Sequence, residues 1–202
     1  HTPGGTGGLR IAGDFLKRYA PDATLWISDP TWANHNQIFG AAGFSLKTYT
    51  YYNAATQSLD FDGMLKALEN IPQGDIVLLH GCCHNPTGLD PSVDQWRCIS
   101  EVLKKRELIP LIDFAYQGLA VGVDEDAEGL RVLAEICPEF VVVSSFSKNF
   151  GLYCERTGAL TIVGKTKDST SAALSHAKQI ARANYSNPPS HGGAVVTEII
   201  ND

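Results

Sequence analysis

A lysine stands just past an apolar segment of this 202-residue chain, with groups that suit a phosphate around it. Lys148 follows residues 140–143, an unbroken apolar run that is typical of a buried strand. Ser145 and Ser147 precede it, and Arg156 comes eight residues later. Burial disfavours the ammonium form of a lysine, and hydroxyls with an arginine can bind a phosphate. An amine beside a phosphate site is what pyridoxal phosphate requires, although a surface lysine after a strand gives the same pattern.

Apolar runs alternate with amphipathic segments along the chain. Strands are predicted at 25–28, 46–51, 76–80, 109–114, 140–144 and 157–163. Helices are predicted at 7–19, 35–42, 61–70, 91–106, 126–136 and 168–183. Asp60 and Asp90 are the expected N-caps of the third and fourth helices. This alternation predicts a single α/β domain over residues 1–202, in which helices sandwich a mostly parallel sheet.

Polar residues follow three successive predicted strands. Asn85 comes after the strand at 76–80, Asp113 and Tyr116 lie at the end of the next, and Lys148 follows the third. Ligands bind beyond the carboxyl ends of parallel strands, so these side chains are expected to share one site. Each cluster alone would equally suit a turn. The glycine-rich residues 2–8, expected as a loop before the first helix, could bind phosphate through backbone N–H groups or be a flexible turn.

Composition excludes several functional classes. The net charge of −6 argues against a nucleic-acid partner, and no apolar run approaches the roughly 18 residues of a membrane span. The five cysteines show neither disulfide nor zinc spacing, which favours reduced thiols, a cytoplasmic location and no metal site. The chain begins with His1 and its only methionine is Met64, so we expect it to be a piece of a longer protein.

Three motifs make the chain resemble the class I aminotransferases of fold type I, and among them the aspartate and aromatic aminotransferases. They are HGCCHNPTG at 80–88, DFAYQG at 113–118 and SFSKN at 145–149, and the resemblance runs over essentially the whole chain. It implies the central part of the family's large cofactor-binding domain, without the N-terminal arm or the C-terminal small domain. It also implies a homodimer that binds pyridoxal phosphate and acts on small amino and 2-oxo acids.

The resemblance assigns catalytic roles to residues of these motifs. Lys148 would bind pyridoxal phosphate through its amine and later move a proton. Asp113 would keep the pyridine nitrogen of the cofactor protonated, where otherwise it would be a turn acid. Tyr116 and Asn85 would donate hydrogen bonds to the phenolic oxygen of the cofactor, and Asn85 would also touch the substrate carboxylate. Outside the family, Asn85 would be read as the start of an Asn-Pro turn.

The remaining cofactor contacts come from other segments. Trp32 would stack on the pyridine ring and contact the substrate, and His35 would hydrogen-bond Asp113 from behind; both otherwise look like ordinary core residues. The phosphate would be held by four residues, namely Gly5, Thr6, Ser145 and Arg156. Arg156 could instead form a surface ion pair with Glu155. Ser147 would orient the lysine segment.

Arg182 is the implied specificity residue. In aspartate aminotransferases the matching arginine comes from the neighbouring subunit and binds the distal carboxylate of the substrate. It favours aspartate and glutamate, and aromatic aminotransferases keep it too. The family's second carboxylate-binding arginine has no counterpart here, so we expect little activity from this piece alone. Two alternatives are a lyase with the same cofactor and a noncatalytic α/β binding module.

Overall fold

A seven-stranded sheet runs through the centre of the computed structural model, which describes residues 1–202. The strands are β1 (Thr2–Pro3), β2 (Leu25–Asp29), β3 (Leu46–Thr50), β4 (Tyr52–Asn53), β5 (Ser58–Leu59), β6 (Ile76–His80), β7 (Ile109–Phe114), β8 (Phe140–Ser145) and β9 (Thr157–Val163). The sheet order is β1-β9-β8-β7-β6-β2-β3, and β4 and β5 pair separately. The five strands from β8 to β3 are parallel, whereas β9 and β1 add an antiparallel edge. The predicted α/β fold with a mostly parallel sheet is confirmed.

Helices cover both faces of this sheet. They are α1 (Gly4–Tyr19), α2 (Asn34–Ala41), α3 (Phe61–Glu69), α4 (Val93–Lys105), α5 (Glu128–Ile136), α6 (Lys167–Asn184) and α7 (Ser190–Asn201). None of the seven combines the length and the apolar character needed to cross a membrane.

Two apolar clusters form the core, one on each face of the sheet. Ile76 and Leu78 of β6 pack with α1 and α2, whereas Val77 and Leu79 pack with α3, α4 and α5. Successive side chains of a strand point to opposite faces, so a strand buried on both faces is apolar at every position. The unbroken apolar runs of the sequence therefore mark the central strands correctly.

The predicted start of the fourth helix is wrong. The helix begins at Val93, and Ser92 is its N-cap in a capping box with Gln95. The carboxylate of Asp90 instead accepts hydrogen bonds from the backbone N–H of Cys83 at 2.6 Å and of His84 at 2.9 Å. Asp90 therefore fixes the loop that follows β6 rather than the helix.

The two acids at other predicted helix starts differ from each other. Asp60 caps α3 as predicted, because its Oδ1 accepts the backbone N–H of Gly63 at 3.0 Å. Asp126, in contrast, does not begin a helix, since Glu125–Ala127 is a single turn of 3-10 helix and α5 begins at Glu128. Its carboxylate points back to the preceding loop.

The glycine-rich start of the chain is not a loop. Thr2–Pro3 pairs with β9, and α1 begins directly at Gly4, so most of the glycines lie inside the helix. A Cβ added at Gly8 would lie 2.6 Å from Cγ1 of Val143, which shows how closely α1 packs on β8. Close packing explains a glycine run that helix propensity alone disfavours.

Candidate active site

A cavity of about 150 Å³ lies where β6, β7 and β8 end and α1 begins. It is lined by ten residues that the sequence analysis proposed, namely Gly5, Thr6, Trp32, Asn85, Asp113, Tyr116, Ser145, Ser147, Lys148 and Arg156. The rule that ligands bind at the carboxyl ends of parallel strands predicted a shared site for Asn85, Asp113, Tyr116 and Lys148, and all four line this cavity. The other predicted residues came from the residue pattern around the lysine, from the glycine-rich segment or from the family resemblance. Five further lining residues were not predicted for the site: Leu9, His80, Cys82, Ala115 and Tyr153.

A buried carboxylate stands at one end of the cavity. Asp113 lies at the end of β7 beside His80 of β6, and its Oδ2 is 3.0 Å from Nε2 of His35. Nδ1 of His35 is 2.8 Å from the hydroxyl of Thr31, which is 3.2 Å from Nε2 of His80. The rings of Trp32 and His35 form a T-shaped pair with a centroid distance of 5.2 Å. The Asp113 carboxylate is therefore fixed by a series of hydrogen bonds that runs through His35 and Thr31 to His80.

One backbone N–H group determines which atoms donate in this series of side-chain hydrogen bonds. The N–H of Asn85 donates to Nδ1 of His80 at 3.3 Å, so neutral His80 carries its proton on Nε2. That proton is donated to Thr31, whose hydroxyl donates to His35, and His35 then donates Nε2–H to Asp113. Burial, followed by the neighbouring His84, lowers the pKa of His80 to about 3, which keeps the ring neutral.

A phenol and an amine, those of Tyr116 and Lys148, also line the cavity. Burial and then Asp113 raise the pKa of Tyr116, while a hydrogen bond with Asn85 acts in the opposite direction. Nζ of Lys148 is 4.8 Å from the ring centroid of Tyr116 and 5.7 Å from that of Tyr153. The sequence placed this lysine close to the interior, but it is half-buried, because it lies in the turn beyond β8.

The other end of the cavity suits an anion. Nη1 of Arg156 donates to the hydroxyl of Ser147 at 3.3 Å, and the hydroxyl of Ser145 donates to that of Ser147 at 3.2 Å. The first turn of α1 contains no acid and has no side-chain cap, and Gly5 and Thr6 of this turn line the cavity. A Cβ added at Gly4 would collide with the Arg156 guanidinium, which places the helix start against that cation. Cation, hydroxyls and helix N-terminus together fit a phosphate group.

Arg156 makes none of the ion pairs in the structure. The surface alternative for it, a pair with Glu155, is absent because Glu155 accepts from Nδ1 of His191 at 2.9 Å. The second bond of Arg156 Nη1 goes to the backbone carbonyl of Tyr153 at 2.7 Å. The guanidinium is thus held by neutral groups, and its charge is left for a ligand.

Comparison with known proteins now bears on this site. The model of the family described as aminotransferase class I and II matches residues 1–202. The chain belongs to this family. It is 50% identical over 201 residues to the aspartate aminotransferase of Salmonella typhi, which covers 100% of the chain and 51% of that protein. It is also 50% identical over 201 residues to the aromatic-amino-acid aminotransferase of Pseudomonas aeruginosa, covering 100% of the chain and 50% of the relative.

A solved structure extends the likeness to three dimensions. The aromatic-amino-acid aminotransferase of Burkholderia pseudomallei, covalently bound to pyridoxal phosphate, matches with a TM-score of 0.98 and 48% identity, covering 100% of this chain and 50% of that one. The aminotransferase resemblance read from the three motifs is confirmed at the level of the family. This chain spans about half the length of the curated relatives it matches.

Two predicted residues of this aminotransferase-family chain do not line the cavity, namely His35, which reaches it only through its hydrogen bond to Asp113, and Arg182. Arg182 is exposed on α6, where its guanidinium donates to the hydroxyl of Ser186. It lines a separate groove of about 760 Å³ between α1, β9 and α6. No residue of the cavity shares that groove, so within one copy of the chain Arg182 and Lys148 serve different surfaces.

Sequence reasoning missed two kinds of residue near the site. Asp90 and Asp126 shape the loops beyond β6 and β7, but an acid before an apolar periodic segment looks like a helix cap. Tyr153 was missed because nothing in its local pattern reports that the turn after β8 folds back over Lys148. The local signal for Asp126 lay in two glycines of the loop that it binds, Gly118 and Gly122, of which Gly118 has a φ of +89°.

Proposed function

We propose that this chain carries the cofactor site of an aminotransferase that moves an amino group between L-amino acids and 2-oxo acids with pyridoxal phosphate. The observation that supports it best is the arrangement of Lys148, Asp113 and Arg156 around one cavity. An amine, a buried acid and an anion-binding end are the three groups that this cofactor requires. The names of the relatives, aspartate and aromatic-amino-acid aminotransferase, agree with it.

Each end of the cavity has a separate task in this proposal. Bound pyridoxal phosphate supplies an aldehyde that bonds to amines and a ring that withdraws electrons from the α-carbon of a substrate. Arg156, the hydroxyls of Ser145 and Ser147 and the start of α1 at Gly5 and Thr6 hold the phosphate.

Asp113 holds a proton at the ring nitrogen. At about 4 Å and an effective dielectric of about 20, such a charge pair is worth on the order of 4 kcal/mol before desolvation. His35 donates to the same carboxylate and orients it, and the neutral His80 behind it adds no competing charge. These hydrogen-bonded side chains therefore fix the orientation of the Asp113 carboxylate.

Lys148 moves the proton of the reaction. Its amine would bind the cofactor, and once a substrate amine has replaced it, the freed Nζ would carry the proton from the substrate α-carbon to C4′ of the cofactor. Tyr116 and Asn85 donate to the phenolic oxygen of the cofactor, Trp32 covers the ring, and Ser147 orients the lysine segment.

The finer assignments belong to the whole protein. We propose a cytoplasmic homodimer in which residues 1–202 form the central part of the cofactor-binding domain, and Arg182 of one copy serves the cavity of the other. This explains why Arg182 is exposed and turned away from Lys148 in a single copy. The two relatives are equally identical to the chain. Arg182 favours aspartate and glutamate as substrates, but it does not exclude aromatic ones, because aromatic aminotransferases keep this arginine.

The proposal is tested by locating the cofactor on the chain. The purified chain is mixed with pyridoxal phosphate, reduced with borohydride and mapped by peptide mass spectrometry, with Lys148→Ala as the control. We expect one pyridoxyl group, on Lys148, and an absorbance band of the bound cofactor that Lys148→Ala lacks. A label on another lysine with Lys148 unmodified refutes the site. Cofactor binding in a whole protein that shows no transamination would favour the noncatalytic module.

A further inference from the structure

The loop that carries Tyr116 is not held by its apolar side chains. It connects β7 to α5, and it exposes three apolar side chains, Leu119, Val121 and Val123, with exposed fractions of 54%, 83% and 66%. A loop with exposed apolar side chains gains little from core packing. Its shape must therefore come from hydrogen bonds.

One buried carboxylate, that of Asp126, accepts four of these bonds. Oδ2 of Asp126 accepts the backbone N–H of Gly118 at 2.8 Å and of Ala120 at 3.0 Å. Its Oδ1 accepts those of Val121 at 2.9 Å and Gly122 at 3.4 Å. Desolvation raises the pKa of Asp126, but the four backbone donors outweigh it and lower the pKa overall. The carboxylate is ionised, and these hydrogen bonds are charge-assisted.

The same loop is joined to both neighbouring parts of the site. The thiol of Cys82, which lines the cavity at the end of β6, points at Oδ2 of Asp126 with a distance of 3.9 Å. Nδ2 of Asn149, the residue after Lys148, donates to the backbone carbonyl of Gln117 at 3.1 Å. The loop that Asp126 binds is therefore connected to the loop after β6, which carries Asn85, and to the turn after β8, which carries Lys148.

We propose that Asp126 is a positioning residue of the cofactor site, because its carboxylate folds the loop after β7 and thereby holds the phenol of Tyr116 beside Lys148. The inference rests on the proposed function for what the phenol does. Its structural half, the folding of the loop by Asp126, is independent of that function.

The first test uses Asp126→Asn with Asp124→Asn as the matched control. The amide keeps the size of the side chain but replaces one acceptor oxygen with an NH₂ group that faces N–H donors. Asp124 lies in the same loop, is 84% exposed at its side chain and pairs only with Arg131. Amide hydrogen exchange of residues 118–122 should become about tenfold faster in Asp126→Asn and stay unchanged in Asp124→Asn.

The unmodified chain gives a second measurement in case Asp126→Asn fails to fold. The amides of Ala120 and Val121 should exchange at least about tenfold more slowly than those of Val123 and Asp124, which make no such bond. Equal exchange at all four positions would show that Asp126 does not hold the loop, whatever the cofactor does.

A double-mutant cycle tests the action through Tyr116. The affinity for pyridoxal phosphate is measured by absorbance titration in Asp126→Asn, Tyr116→Phe and the double variant. We expect Asp126→Asn to weaken binding about tenfold alone and less than about twofold in the Tyr116→Phe background. Additive losses would overturn the positioning role. A wild-type chain that binds no cofactor would refute the proposed function, while the exchange data would still decide the role of Asp126 in the loop.

Discussion

Replacing Gly4 with alanine separates the anchoring of the phosphate from the stability of the fold. Gly4 has a φ of +71°, at which an alanine costs roughly 1–2 kcal/mol. The added Cβ would also collide with the guanidinium of Arg156. The end of an arginine side chain is flexible and moves at little cost to folding, but it then leaves the phosphate end of the cavity. A hydrogen bond to a charged group is worth about 1.5–3 kcal/mol, so cofactor affinity should fall about 10- to 100-fold.

The matched control is Gly74→Ala. Gly74 has a φ of +83°, and no atom lies within 4 Å of a Cβ built there, so this variant carries the backbone cost without the collision. Urea unfolding should report a similar loss of stability for both variants. Titration should report weaker pyridoxal phosphate binding only for Gly4→Ala. Pyridoxal, which lacks the phosphate, should bind both variants alike.

The outcome that refutes this reasoning is specific. If Gly4→Ala is destabilised like Gly74→Ala and yet binds pyridoxal phosphate as the unmodified chain does, Arg156 does not hold the phosphate. If both phosphate-bearing and phosphate-free forms lose affinity equally, the substitution disturbs the cavity as a whole.

The remaining predictions concern electronics, specificity and pH. In the whole protein, Asp113→Asn should retain cofactor but slow proton abstraction by several orders of magnitude, whereas Asp113→Glu should do less harm; similar single-turnover rates for Asn and wild type would contradict the role of the acid. Arg182→Asp should reduce kcat/KM for aspartate far more than for phenylalanine, since it replaces an attraction with a repulsion; equal losses would point to a structural role. Folded His80 resists protonation down to about pH 3, whereas unfolded histidine binds a proton near pH 6.5. Between these two values, the free energy of unfolding should therefore fall by about 1.4 kcal/mol for each unit by which the pH is lowered, on account of His80. Urea unfolding at several pH values should show a flatter pH dependence for His80→Gln.

The sequence determined the framework of the site because its signals are local. Unbroken apolar runs mark strands that are buried on both faces, and β6, β7 and β8 lie where these runs predict them. Parallel strands end at one edge of a sheet, so Asn85, Asp113 and Lys148 had to converge once the strands were identified. Neither inference required knowledge of a distant contact.

Local patterns failed where a side chain is used at a distance from its own segment. Asp90 and Asp126 precede helical periodicity and resemble caps, but each folds back to bind the N–H groups of another loop. The glycines at the start of the chain look like a loop, yet contact with β8 makes them helical. Strand β9 is antiparallel, which its own residues do not reveal. A hydrogen-bond partner far along the chain leaves no periodic trace in the sequence.

The sequence alone therefore predicted the family, the sheet and most of the residues that line the cavity. Only the tertiary structure decided how these side chains are supported, through the neutral His80 behind Asp113, the four bonds of Asp126 and the Tyr153 ring near Lys148. It also decided that Arg182 faces a different surface from Lys148. The physical reason is that residue type and spacing fix what a strand end can present, whereas orientation and charge state depend on groups that meet only when the chain has folded.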